Sequence, residues 1–209
     1  METISKMKES TSAKPAKPAK KIFILLGHPD KETKCGSFAD AYEKGARDAG
    51  FDVRRINLGD LKFDPILHKG YKEIQALEPD LLTVQEAFRW ADHIALFYPN
   101  WFITMPALLK GLFDRIWLPG FAYHFKKNGY GWTGLFKGKS ADVFITMDAM
   151  PIAERVLFGD YSNEIRRGVL RFSGIRPVKI TKIGPMHNVS DGVKAKWRER
   201  AYKWGRMGK

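Results

Sequence analysis

The sequence predicts an α/β domain: a five-stranded parallel sheet in the doubly wound order 2-1-3-4-5, with helices on both faces. Three observations lead there. Short apolar runs alternate with longer segments of helical period along residues 22–204, and strands separated by helices imply parallel pairing through crossovers. Three of the runs, IFILLG (22–27), HIALFYP (93–99) and ADVFITM (141–147), are apolar almost without a break, as strands buried on both faces are. Finally, 209 residues with 44% hydrophobic and 13% aromatic content suffice to bury one full core.

IFILLG opens the sheet. A helical stretch follows near 36–50, and Gly50 is its natural stop. DVRRINL (52–58) reads as a second, more exposed strand; residues 60–78 are irregular and 79–91 helical. HIALFYP is the third strand. Pro106 opens the next helix, at a position where its missing N–H would have no partner anyway. Leu108, Leu109, Leu112, Phe113 and Ile116 form the apolar face of that helix, Lys110 and Asp114 make an i,i+4 pair, and Pro119-Gly120 ends it. After an insert, FAYHFKKNGYGWTGLFKG (121–138), comes the fourth strand, ADVFITM. Residues 160–173 read as a helix, VKITKIG (178–184) as the fifth strand and 191–204 as the final helix.

Composition narrows the function. No apolar run approaches the ~18 residues of a membrane helix, so stable membrane insertion is not expected. The opening METISKMKESTSAKPAKPAKK lacks the apolar core of a secretory signal. With the single cysteine, Cys35, this points to a reducing, cytoplasmic setting. Residues 1–20 are rich in Lys, Ala, Pro, Ser and Thr, the composition of a flexible basic tail, which leaves 21–209 as the domain. The formal net charge is +13, but residues 1–21 carry +4 of it and 194–209 carry +6. Solvated ends explain that distribution, and no segment interleaves basic with aromatic residues, so nucleic acid is not an expected partner.

A sheet of this order binds ligands beyond the carboxyl ends of its strands. The three buried strands lead there into GHPDKETKCGSF (27–38), PNWFITMP (99–106) and TMDAMP (146–151). In the first loop, Thr33 and Ser37 precede a helix whose N–H groups suit a phosphate, or they simply cap it. His28 either contacts that phosphate or caps the strand end. A metal role is not expected, because no second ligand stands at the right spacing. In the second, Trp101 and Phe102 sit where a loop is ordinarily polar; a stacked planar ring, core packing or a dimer contact each explains them. In the third, Asp148 is the lone acid, a site residue or a turn residue. There is no Walker lysine pattern, no G-x-G-x-x-G and no nucleophile elbow. A phosphate cradle beside an aromatic slot suits a cofactor that performs the chemistry itself, and flavin is the candidate.

YPNWFITMPALLKGLFDRIWLPGFAY, GHPDKETKCGSFADAYEKGA and RFSGIRPVKITKIGP, in that family's spacing, make the chain resemble the NAD(P)H:quinone oxidoreductases, flavodoxin-like flavoproteins, over residues 21–204. The resemblance implies a flavin with its phosphate at Thr33, Cys35 and Ser37, His28 close by and Phe38 also in the cofactor site. It places the flavin ring against Pro99, Asn100, Trp101, Phe102 and Ile103 and against Thr146, Met147, Asp148 and Ala149. It also implies a homodimer with sites at its interface, and hydride transfer from NADPH or NADH through the flavin to a quinone-like acceptor. The insert 121–138 tilts the choice of flavin to FAD, with FMN as the other option. A flavin-binding regulatory subunit of a membrane transporter is the alternative. One departure stands out. TMDAMPIAERVLFGD replaces the family's TTGG segment with its Tyr and His, and resembles a subgroup with TMD followed by Pro and Arg. Arg155 is therefore the candidate catalytic residue, stabilising reduced flavin or binding the acceptor, unless it is an ordinary surface arginine.

Overall fold

Along the first strand, β1 (Lys21–Leu26), side chains alternate between two cores. Phe23 and Leu25 pack on one side of the sheet, Ile22, Ile24 and Leu26 on the other. The run must therefore lie between two helical layers, since neighbouring strand residues face opposite ways. This is a computed structural model, which describes residues 19–127 and 129–208. The expected tail, residues 1–20, lies outside the described residues except for Ala19 and Lys20; the Lys20 ammonium donates to the Gly208 carbonyl at 2.7 Å.

Helix α1 (Lys34–Asp48), strand β2 (Asp52–Asn57) and helix α2 (Pro79–Trp90) follow, then β3 (His93–Pro99) and α3 (Ala107–Ile116). A small antiparallel hairpin, β4 (Tyr123–Phe125) and β5 (Trp132–Gly134), precedes β6 (Ser140–Thr146), α4 (Pro151–Phe158) and a π-helix, Glu164–Arg171. Strand β7 (Val178–Ile183) and helix α5 (Asp191–Met207) complete the chain. The main sheet runs β2-β1-β3-β6-β7, every pair parallel. Counting its five strands in chain order, this is the expected 2-1-3-4-5.

Several boundaries differ from the expectation for physical reasons. Helix α1 starts two residues early, because the Thr33 hydroxyl accepts the Gly36 N–H at 3.1 Å and caps it. Helix α5 runs through Gly205 to Met207 rather than stopping at 204. A Cβ on Gly205 would fall 2.0 Å from the Tyr42 carbonyl, and one on Gly45 would fall 2.1 Å from the Tyr202 carbonyl. The glycine is there to let α1 and α5 touch backbone to backbone, not to end the helix. The helix expected over 160–173 is a π-helix over a shorter span. The hairpin and α4 were not expected. The irregular segment before α2 is fastened by Arg115, 1% exposed, which donates to both Glu78 carboxylate oxygens at 2.9 and 3.1 Å and to the Ala76 and Asp64 carbonyls.

Candidate functional site

The register sets the site. Leu26 lies beside Phe97, Pro99 beside Thr146, and Thr146 beside Ile183. The carboxyl ends of β1, β3 and β6 are thus level, at the point where the strand order reverses. Their loops enclose a cleft of about 270 Å³, lined by His28, Thr33–Cys35, Pro99–Trp101, Thr146–Asp148 and Met186.

The first wall is the amino end of α1. With Thr33 as the cap, the Lys34 and Cys35 N–H groups have no intrahelical acceptor and carry the positive end of the helix dipole. The Lys34 ammonium donates to the Met186 carbonyl at 2.5 Å, tying the loop after β7 to this corner. His28 accepts the Asp30 N–H on Nδ1 at 2.9 Å, so its proton sits on Nε2. Partial burial lowers its pKa against the opposing pull of Asp30, and the ring meets Trp101 edge-on at 5.4 Å. The Cys35 thiol is buried; burial pushes it up to about 12, only partly offset by its hydrogen bond with Thr146.

The second wall is a tight turn. Trp101 and Thr104 exchange backbone hydrogen bonds at 2.9 and 3.1 Å, and the two residues between them, Phe102 and Ile103, have φ of 50° and 66°. A β-branched residue in the left-handed region is strained. Among the described residues, neither the Phe102 nor the Ile103 N–H meets an acceptor, so the strain presents two free donors. Asn100 donates from Nδ2 to Glu154 at 2.8 Å, while its Oδ1 is buried without a partner.

The third wall is the start of the β6–α4 connection. Tyr161 reaches back to it, donating to Met147 Sδ at 3.2 Å. Burial, then Glu154, raises the Tyr161 pKa, so the phenol stays protonated.

Of the sequence candidates, His28, Thr33, Cys35, Pro99, Asn100, Trp101, Thr146, Met147 and Asp148 line this cleft. The others do not. Ser37 donates to the Lys34 carbonyl at 2.8 Å and faces a neighbouring depression with Asp40 and Arg55. Phe38 is fully buried in the core beneath α1. Phe102 projects into solvent and Ile103 stands at the rim, contributing backbone rather than lining. Ala149 lies just past the edge, with its carbonyl close to Gly184. Arg155 is on α4, facing a second cleft with Arg166 and Lys182. Sequence reasoning missed Lys34, Glu154, Tyr161 and Met186. Lys34 stood inside the first loop, but a lysine there reads as solvated; Glu154 and Tyr161 join the site only through α4, which was not foreseen.

The residues fit a flavin. The α1 amino end offers uncommitted donors to a phosphate, and the orphaned Asn100 Oδ1 beside the free turn amides offers an acceptor and donors to a planar heterocycle. A family profile described as a flavodoxin-like fold matches residues 20–206. A Haemophilus influenzae protein named an uncharacterised NAD(P)H oxidoreductase is 30% identical over 176 residues, 80% of this chain and 85% of its own. The guinea-pig (Cavia porcellus) NAD(P)H dehydrogenase [quinone] 1 is 28% identical over 148 residues, 61% of this chain but 53% of its own length. The structure of the NAD(P)H:quinone oxidoreductase from Methanothermobacter marburgensis superimposes with a TM-score of 0.76 at 23% identity, over 90% of this chain and 98% of that one. This chain belongs to the flavodoxin-like family that includes the NAD(P)H:quinone oxidoreductases.

Proposed function

We propose that this protein is a flavin-dependent NAD(P)H oxidoreductase that reduces quinones or similar two-electron acceptors. The observation that carries the reading is the cleft itself: three strand-end loops converge on uncommitted phosphate donors, an orphaned buried carbonyl and a strained turn with free amides. Flavin, when bound, supplies the two-electron chemistry, so that NAD(P)H and a proton convert a quinone to its hydroquinone. The Lys34 and Cys35 amides hold the phosphate. Asn100, held by Glu154, and the Phe102 and Ile103 amides orient the ring, as preorganised dipoles cost nothing to align during reaction. His28, neutral with Nε2–H outward from its bond to Asp30, is a donor toward negative charge in the cleft.

FAD is the preferred flavin in this reading. The hairpin bears exposed aromatic side chains, Phe125 and Trp132, with Tyr130 in its loop, suited to stacking on an adenine across a homodimer. Helix α4 supports the dimer: none of its residues is buried in the single chain, although Leu157 and Phe158, outside the lining of the second cleft, are apolar. Among the described residues no helix is long and apolar enough to cross a membrane.

The test is the absorbance spectrum of the purified protein, followed by anaerobic NADPH or NADH. Oxidised-flavin bands that bleach within seconds and return on adding a quinone are expected. A colourless protein that takes up neither FMN nor FAD, or a yellow one that neither nicotinamide bleaches, would end the oxidoreductase reading. Acid release of the cofactor and chromatography distinguish FAD from FMN.

A further inference from the structure

On the far side of α4 from the flavin cleft lies a second one, of about 480 Å³, lined by Arg155 of α4, Arg166 of the π-helix, Lys182 of β7, and Asp160 and Ser162 between them. Its charges are unequal. Asp160 is occupied: it accepts the Ser162 hydroxyl at 2.6 Å and pairs with Lys182 at 3.5 Å. Arg155 and Arg166 have no carboxylate partner among the described residues, and Arg166 Nε is buried without an acceptor. With the one lining carboxylate, Asp160, already engaged by Ser162 and Lys182, two unpaired guanidinium groups on the same cleft leave a cationic lining that suits an anion, and the planar fork suits phosphate oxygens.

The position selects the kind of anion. Helix α4 and residues 160–161 are the partition between the two clefts. Glu154 of α4 bonds Asn100 in the flavin cleft, while Arg155, the next residue, lines the cationic one. Tyr161 bonds Met147 on the flavin side and carries the Lys182 ammonium over its ring, 4.0 Å from the centroid. Two clefts that share one helical wall suit a single elongated ligand carrying both a redox-active ring and a phosphate. NADPH has that form, and NADH lacks the terminal 2′-phosphate.

We infer that the Arg155–Arg166–Lys182 cleft binds the 2′-phosphate of NADPH, and that this cleft makes NADPH the preferred reductant. The inference rests on the oxidoreductase reading, but its site can be measured without turnover. The experiment titrates the full-length, flavin-loaded protein calorimetrically with 2′,5′-ADP, with 5′-ADP and with inorganic phosphate. The 2′,5′-ADP is expected to bind at least about ten-fold more tightly than 5′-ADP, as a charge-assisted contact requires, and to weaken as salt rises. In Arg155→Gln that preference should fall by about ten-fold, together with the ratio of kcat/KM for NADPH over NADH. Arg166→Gln should do the same if it folds; Arg155 is exposed, so its variant carries the test regardless.

Equal binding of the two nucleotides, or an Arg155→Gln protein that keeps the preference, overturns the inference; NADPH oxidation persisting in that case leaves the oxidoreductase reading intact. Inorganic phosphate binding as tightly as 2′,5′-ADP also overturns it, since the cleft then holds an adventitious anion only. A preference for 2′,5′-ADP in a protein whose flavin no nicotinamide reduces would keep the nucleotide site and sink the oxidoreductase reading.

Discussion

Ile103 occupies backbone space that glycine would fill without strain, and it does so at the mouth of the cleft. Non-glycine residues in the left-handed region cost of order 1–3 kcal/mol each. Part of that is offset because glycine gives up more backbone entropy on folding. Ile103→Gly is therefore expected to raise stability by about 1 kcal/mol, read as a higher urea midpoint, while weakening flavin affinity because the amide it presents is less firmly aimed. A variant that is both less stable and unaltered in flavin affinity would show that the turn is not strained for binding. Cys35 invites the opposite expectation. Its neighbourhood at a helix amino end suggests an activated thiol, but burial pushes it up to about 12. At pH 8 only about one molecule in ten thousand carries the thiolate, the reactive form. The native protein should resist a disulfide reagent at pH 8 for as long as it stays folded and react promptly once unfolded in urea. Prompt reaction in the native state would show that the thiol is not held in the core.

Elements follow the same logic of contact. The α1–α5 pair is closed by Gly45 and Gly205, each facing a carbonyl of the other helix at a distance no methyl group tolerates. Gly205→Ala forces the helices apart and is expected to cost about 2 kcal/mol, the middle of the range for overpacking; circular dichroism should show helix content retained and the thermal midpoint lowered. An unchanged midpoint would mean that the helices slide freely. The buried strands and Pro106 at the head of α3 were legible because continuous apolar runs and a proline at a helix start have few other meanings. The loops that line the cleft were legible for the same reason, being fixed by the strands that precede them. What stayed hidden was set by distant partners. Gly205 read as no part of a helix because its neighbour is Tyr42, 163 positions away in the chain. Helix α4 was invisible because its apolar residues face no core within this chain, so they match neither buried face nor polar loop. Glu154 and Tyr161 went unseen with it, and Arg155, assigned to the flavin from the subgroup resemblance alone, lines the second cleft.

At the scale of the molecule, the two ends of the sheet divide the labour. The carboxyl end holds the clefts, and the amino end holds a buried histidine. His93, at the start of β3, is 2% exposed; its Nδ1 lies 2.8 Å from the Ser140 hydroxyl and its Nε2 has no partner. Burial, reinforced by Lys20 and Lys179, lowers its pKa from 6.5 to about 3. In the unfolded chain the ring takes up a proton below its ordinary value, while the folded protein refuses it. The unfolded state therefore binds more protons, and stability falls as pH drops from about 6.5 toward 3. Between pH 7.5 and 5 the loss should approach roughly 2 kcal/mol, at 1.36 kcal/mol per unit over the part of the shift that this window covers. Most carboxylates stay ionised in both states above pH 5, so the window isolates histidines. His28 is shifted the same way but is only partly buried, and its share survives in a His93 variant. His93→Gln is thus expected to remove the larger part of the fall in urea midpoint between pH 7.5 and pH 5, whatever it costs at pH 7.5. A variant with the full wild-type fall would place the acid sensitivity elsewhere and return His93 to the role of a packing residue.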